Sequence, residues 1–434
     1  MRVALVVHKF PPASVGGTEV YTLNLARALA ARGHEVFVFY RRDRPGDRGL
    51  IGSWEEREGF RAFWVSQPIR PSAVSMLRKF IDTFWNPGIE RAFDQFLRAV
   101  HPDLVHFQHL MSLSYRLIHQ AKRAGLPVVL TLHDYWFLCG NAQLIWPDGQ
   151  VCRGKAWGWN CAHCALAGRV PRGLEYLLRP AAALLLQIRD RLVGRAALQA
   201  DRLIAPSRFL IQQYVQAGFP AERMIYLENG IDVERIWRYS HRPASDGRVR
   251  FTYLGALAWQ KGVHVVVEAF RGIPSERAVL RVFGDPALFP EYAAALRRRA
   301  DPTNTRFEGP VPNEEVGRVL AETDVLLVPS LWYENSPVVI QEALAAGVPV
   351  IASDLGALVE KVQPGVNGWR CPPGDVQAWR ACLLSILERS SPREGLWMES
   401  IRVLSMPEHI AQLEEIYRSL LGMPARLEGR AGDR

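Results

Sequence analysis

Short apolar runs alternate with amphipathic stretches along this chain, and their spacing predicts strands and helices in turn. Residues 2–7 form a continuous apolar run of strand length, the pattern of a strand buried on both faces. Val20 to Ala31 follows as a helix, with Leu23, Leu25, Ala28 and Leu29 available to a core face. Glu35 to Tyr40 reads as the next strand, and further strands are expected at 103–107, 127–132 and 201–205. The rhythm then restarts, with strands at 250–254, 279–283, 324–328 and 348–352 and helices at 263–270 and after Pro337. Strands alternating with helices predict parallel, doubly wound sheets, an α/β fold. At 434 residues the chain exceeds one ordinary core, so two such domains are expected. The polar stretch from Tyr239 to Arg248, with Pro243, Ser245, Asp246 and Gly247, marks the break between them.

One segment departs from the rhythm. Gly173 to Ala200 sets Leu177, Leu178, Leu184, Leu185, Leu186, Ile188 and Leu192 beside Arg179, Arg189, Arg191 and Arg195. A basic amphipathic helix of this kind can lie on an anionic bilayer. The commoner use of the pattern is a long helix packed on its own domain. No apolar run reaches the roughly 18 residues needed to cross a bilayer, and the first residues lack a secretory leader pattern. The expectation is a cytoplasmic protein, peripheral at most to the inner membrane face.

Charge sharpens the division. Residues 1–240 carry 31 Lys and Arg against 20 Asp and Glu, whereas the remainder carries 22 against 24. The basic half is the one expected to meet an anionic surface or acceptor. Nucleic acid is not the expected partner, because no nucleic-acid motif accompanies the charge. Four of six cysteines cluster: Cys139, Cys152, Cys161 and Cys164. In a cytosolic setting such clustering favours metal over disulfides, and Cys161-Ala-His-Cys164 has the C-x2-C step that structural zinc uses. His163 is a spare ligand candidate. The alternative is a set of reduced cysteines in a loop.

The chemistry centres on two acids, Glu334 and Glu342, separated by seven residues. Between them, Ser336 followed by Pro337 reads as a helix start, a hydroxyl cap and then a proline at the first helical position. Glu334 then precedes the helix, and Glu342 lies about 8 Å along its axis at 1.5 Å per residue. A helix N-terminus offers free N–H groups and the positive end of a dipole, so it takes phosphate readily. One acid therefore stands on each side of a candidate anion site, formed by Asn335, Ser336, Pro337 and Val338. That arrangement suits a nucleotide-sugar: sugar at Glu334, diphosphate at the helix start, ribose at Glu342.

The continuation, Ala345-Ala346-Gly347-Val348-Pro349-Val350-Ile351-Ala352-Ser353-Asp354, reads as helix end, turn and buried strand. With it, the segment resembles the retaining glycosyltransferases of family 4, which have the GT-B fold. The resemblance runs from residue 2 to about 421 and implies two Rossmann-like doubly wound domains facing a cleft. It assigns an acceptor-binding domain to 1–240, a nucleotide-sugar-binding domain to 241–405 and a helix crossing back to the first domain at 406–425. Residues 426–434 read as a disordered tail.

Other motifs take their meaning from the same resemblance. Gly16 and Gly17, between the first strand and helix, match a Gly-Gly loop facing the donor phosphate. Gly255 and Lys261 match a strand–loop–KG pattern in which the ammonium holds diphosphate as a point charge. The family often has arginine where this chain has Ala256, which leaves one diphosphate clamp in doubt. His133 falls where the family places a histidine against the sugar, making it the second catalytic candidate after Glu334, with Asp134 as the group that would orient its ring. Asn229-Gly230-Ile231-Asp232 matches a turn of architectural role, and Ser207-Arg208 also fits, with Arg208 a candidate for the cleft wall. Gly284-Asp285 and Glu308-Gly309-Pro310-Val311 lie where the family binds its base. The implied activity is transfer of a sugar, with retention, from a nucleotide diphosphate sugar to a saccharide or lipid-linked acceptor. Polysaccharide or glycoconjugate synthesis at the cell surface is the implied setting. Lys261 and the helix start would stabilise the leaving diphosphate without an obligatory metal or other cofactor. A non-catalytic nucleotide-sugar-binding protein and an epimerase on the same fold are the alternatives.

Overall fold

The computed structural model describes residues 1–14, 16–44, 51–68, 80–242, 244–398 and 401–424. Pro243 and the tail at 426–434 lie outside them. The first eight strands are β1 (Arg2–Val7), β2 (Glu35–Arg44), β3 (Ile51–Arg57), β4 (Phe60–Pro68), β5 (Leu104–Phe107), β6 (Val128–Thr131), β7 (Arg202–Ala205) and β8 (Met224–Tyr226). They form one sheet in the order β3-β4-β2-β1-β5-β6-β7-β8. Only β3 and β4 run antiparallel, and in register Leu5 stands opposite Val38 on one side and His106 on the other. Val3 to Val7 are fully buried because helices cover both faces of the sheet. The helix Gly17–Ala31 supplies Tyr21, Leu25 and Leu29 to one face. The helix Pro87–Val100, capped by the Asn86 side chain, supplies Phe93 and Phe96 to the other.

The second sheet holds β9 (Val249–Leu254), β10 (Ala278–Phe283), β11 (Thr305–Gly309), β12 (Val325–Val328), β13 (Val350–Ser353) and β14 (Gly368–Cys371). Its order, β11-β10-β9-β12-β13-β14, is that of a dinucleotide-binding Rossmann sheet, with the topological switch between β9 and β12. Loops leaving the C-terminal ends of those two strands carry Lys261 and Glu334 to the cleft.

The last helix, Met406–Leu420, returns to the first sheet, as the resemblance implied. Ser405 and Glu408 close its first turn as a capping box. Ile410, Leu413 and Tyr417 enter the core beside β1 and the first helix. Polar contacts fix its angle: His409 Nε2 is 2.7 Å from Tyr21 Oη, and Glu414 accepts two bonds from Arg32, at 2.7 and 2.9 Å. The Asn229–Asp232 turn is where the crossing strap passes. Ile231 N donates to Leu404 O, and Met406 N donates to Ile231 O at 2.8 Å. A Cβ on Gly230 would lie 2.5 Å from His409 Cβ and 2.9 Å from Met406 Cα, so backbone passes backbone here and only glycine fits.

The helix Arg172–Ala197 packs on its own domain, as the commoner sequence reading has it, but not through its leucines. Leu177, Leu184 and Leu185 are exposed, and the buried face instead carries Glu175, Ala183, Arg189, Val193, Ala196 and Ala197.

Candidate active site

Glu334 is buried in the loop after β12. Its Oε1 accepts from Lys261 Nζ at 2.7 Å, Ser330 Oγ at 2.7 Å and Trp332 Nε1 at 2.9 Å. Lys261 ends a short 3-10 turn, Trp259–Lys261, and stands over the Trp332 ring. Gly262 makes this meeting possible. Its φ is +69°, and a Cβ there would come within 1.8 Å of the Pro329 carbonyl oxygen. The loops after β9 and β12 can abut only through a residue without a side chain.

The helix after Glu334 spans Val338–Ala345, and Pro337 occupies the cap position. The sequence placed Ser336 there, one residue early, and its hydroxyl makes no capping bond. Ser336 Oγ and Asn335 Oδ1 are instead buried with no hydrogen-bond partner. Unpaired buried polar atoms are uncommon in native proteins. Two at a helix N-terminus, beside a lysine, mark a place that suits an anionic, hydrogen-bonding ligand. Glu342, one turn further in, is buried and paired with Arg235 at the end of the first half of the chain. Burial pushes its carboxyl up and Arg235 draws it down, leaving it above the usual range. Next to it, Gln341 Nε2 donates to Asn229 O at 2.8 Å.

The first domain meets this helix start directly. Asn335 Nδ2 donates to the backbone oxygen of His133 at 2.8 Å, which brings the second catalytic candidate beside the loop that carries Glu334. His133 Nε2 is 2.8 Å from Gln108 Oε1, and Tyr21 packs edge-on against its ring. Burial first, then the neighbouring His109, pulls the His133 pKa down to about 3, so the ring is neutral at physiological pH. The expected role of Asp134 is corrected. Its carboxylate bonds His109 Nε2 at 2.8 Å and the Trp136 amide at 2.8 Å, and it is His109 that it orients. Gly16 caps the first helix, where a Cβ would meet Glu19 Oε2 at 2.5 Å, while Gly17 faces open space. Gly255 N donates to Phe283 O at the end of β9. Arg208 stands over Tyr226, 4.8 Å from the ring centre, and its amide donates to Glu360.

Three polar residues here were not singled out from sequence. The His8 ring lies 4.5 Å from that of His109, tilted by 51°, and 3.6 Å from buried Glu19, which also accepts from Ser14 Oγ. The usable signal was position: His8 is the first residue beyond the C-terminal end of β1, where ligands of such sheets bind.

The four cysteines line one largely apolar cavity of about 510 Å³ with Trp136, Trp146 and Leu186. Cys139 Sγ donates to Asn141 Oδ1 at 2.8 Å, and Asn141 Nδ2 donates to Cys164 Sγ at 3.4 Å. Burial first, then Asp190 and the other thiols, pushes Cys161 up to about 12. His163 Nδ1 is taken by Glu175 at 2.6 Å. Among the described residues no group of three or more His, Cys, Asp or Glu stands in metal-ligand geometry. The cysteines share a cavity, and as placed they do not form a zinc cage.

Two facing Rossmann-like sheets, a helix crossing back, and a lysine and two acids around a helix start define the GT-B class of sugar transferases. Solved structures agree on the fold. The sucrose-phosphate synthase of Thermosynechococcus elongatus superposes with a TM-score of 0.68 at 20% identity, over 97% of this chain and 99% of that one. HepE of Anabaena, solved with UDP and glucose, gives 0.66 at 18%, over 96% and 100%. A glycogen synthase of Mycobacterium tuberculosis is 26% identical over 400 residues, 89% of this chain and 86% of its own. The chain belongs to glycosyltransferase family 4: the sequence model described as Glycosyltransferase Family 4 matches residues 15–235, and that of Glycosyl transferases group 1 matches 248–389.

Proposed function

We propose that this glycosyltransferase moves a sugar, with retention at the anomeric carbon, from a nucleotide diphosphate sugar to a saccharide or lipid-linked acceptor. Its setting would be cell-surface polysaccharide or glycoconjugate synthesis at the cytoplasmic face of the membrane. The observation that carries the reading is the cluster of Lys261, Glu334 and the unpaired Ser336 Oγ and Asn335 Oδ1 at one helix start. In the transition state the sugar gains positive charge and the leaving diphosphate negative charge. Lys261 and the helix N-terminus would stabilise the diphosphate, and Glu334, freed from Lys261, would hold the sugar and its developing cation. Glu342 would share its carboxylate between Arg235 and the ribose hydroxyls. Neutral His133 would offer a hydrogen bond beside the sugar without adding charge. Closure of the two domains would keep water from the donor.

The relatives support this reading by what they bind or make: HepE was solved with UDP-glucose, and the mycobacterial relative is a glycogen synthase. A thermal-shift screen against UDP, GDP, ADP and their sugars tests the donor, since a ligand that binds only the folded state raises its stability. NMR of the product's anomeric proton tests retention. Inverted product, or no nucleotide raising the midpoint, would overturn the proposal.

A further inference from the structure

We propose that the outward face of the Arg172–Ala197 helix, with the tryptophan-bearing loop before it, docks on an anionic lipid bilayer. This deepens the membrane-side placement above and stands on the geometry of the helix rather than on the transfer chemistry. Leu174, Leu177, Leu178, Leu184, Leu185 and Ile188 recur at helical spacing and share one stripe. All six are exposed, Leu177 at 75% and Leu184 at 58%. An ordinary core helix would turn such a stripe inward. Here charged anchors on the opposite face hold it outward.

Glu175 accepts from Arg179 and is 2.6 Å from His163 Nδ1. Asp190 is paired with Lys155 at 2.8 Å and accepts from Arg189 at 2.7 Å, and Arg189 stacks over Trp136. Rotating the leucines into the domain would break both sets of ion pairs. Gln187 ties the loop before the helix in place through the Trp157 carbonyl oxygen. That loop presents Trp157, 87% exposed, Trp159 stands exposed at the start of the short helix Trp159–Leu166 that follows it, and Tyr176 is exposed on the long helix itself. Trp and Tyr favour the headgroup level of a bilayer.

Charge names the occupant. Residues 151–200 carry eight Arg and Lys against two acids, Glu175 and Asp190, and both acids are bonded inside the domain. Arg153, Arg169, Arg172, Arg191 and Arg195 remain exposed. An apolar stripe bordered by exposed arginines complements an anionic membrane surface better than a second copy of the same basic face. No described helix is long and apolar enough to cross a membrane, so the stripe would lie in the interface plane.

Co-sedimentation of the full-length protein with vesicles tests this without any donor or acceptor. Wild type should bind phosphatidylglycerol-containing vesicles, bind phosphatidylcholine vesicles at least ~10-fold more weakly, and lose affinity as salt rises. L177E/L184E should bind the anionic vesicles at least ~10-fold more weakly, with an unchanged thermal midpoint, because both side chains are already in water. Equal binding by the variant, or no binding by wild type, would overturn the proposal. So would a wild-type dimer in light scattering that the variant converts to monomer, since a second copy would then cover the stripe. Failure on vesicles with nucleotide binding intact would remove the docking surface and leave the transferase reading standing.

Discussion

Lowering the pH from 7.5 to 5.5 should destabilise this protein far more than its surface charge suggests, because four histidines of the first domain and its returning helix, two of them fully buried and two at the cleft, are held neutral. His106 sits between Tyr417 Oη at 2.6 Å and Thr131 Oγ1 at 2.7 Å, and His409 between Tyr21 Oη and the Glu228 carbonyl oxygen at 2.8 Å. Burial lowers all four, His8 and His106 well below the ordinary value, His133 to about 3 and His409 to about 4. A histidine depressed in the folded state contributes its full share above its unfolded pKa of about 6.5 and loses it as pH falls toward the folded value. One pH unit below 6.5, the unfolded chain gains about 1.4 kcal/mol per histidine that the folded chain cannot take up. Four such groups give roughly 5 kcal/mol at pH 5.5, comparable to the whole stability of many domains. Glu414 does not confuse this window. Burial raises its carboxyl, but bonds to Arg32 and His34 outweigh that and hold it at about 2, so its share is lost only below about pH 4.5. Urea unfolding followed by circular dichroism across pH 5–8 measures the slope directly. In His409→Gln the slope near pH 5.5 should fall by about 1 kcal/mol per pH unit. A stability that is flat between pH 7.5 and 5.5 would refute the neutral state of these rings.

Glu334→Gln should lower kcat by about 100-fold and change KM little, because the amide keeps the loop's hydrogen bonds but not the charge facing the sugar; steady-state kinetics with the identified donor checks this. In Glu342→Gln the donor should bind about tenfold more weakly, and the thermal midpoint should also fall, since Arg235 is left buried without its counter-charge. Calorimetry paired with a melting curve separates the two effects, and wild-type donor affinity would remove Glu342 from the site. Structural zinc at the cysteine cavity stands as a proposal for metal analysis of protein purified without chelator. About one zinc per chain would require the four thiols to close from their present positions, and less than about a tenth would end the idea.

Much of the scaffold was legible because fully buried parallel strands write themselves as unbroken apolar runs. β1, β5, β6 and β7 lie within a residue of their expected limits. The hairpin of β3 and β4 was not read, since Glu55, Glu56 and Arg57 give it the polarity of a loop. The orientation of the Arg172–Ala197 helix was beyond periodicity, which gives the stripe but not the side that faces the core. Arg189 and Asp190 decide that side through partners distant in sequence, Trp136 and Lys155. At the site, spacing brought Glu334 and Glu342 to either side of one helix start. It could not show that each acid already holds a cation, because Lys261 is 73 residues from Glu334 and Arg235 is 107 from Glu342.

The returning helix has a consequence for biosynthesis. Ile410, Leu413 and Tyr417 complete the seam beside β1, yet they are synthesised after every strand of both sheets. The amino-terminal half therefore stays unfinished until the second sheet and the returning helix have been made, against the usual order in which early domains fold first. Nascent chains halted before residue 405 should be cut by protease near β1, where completed chains resist.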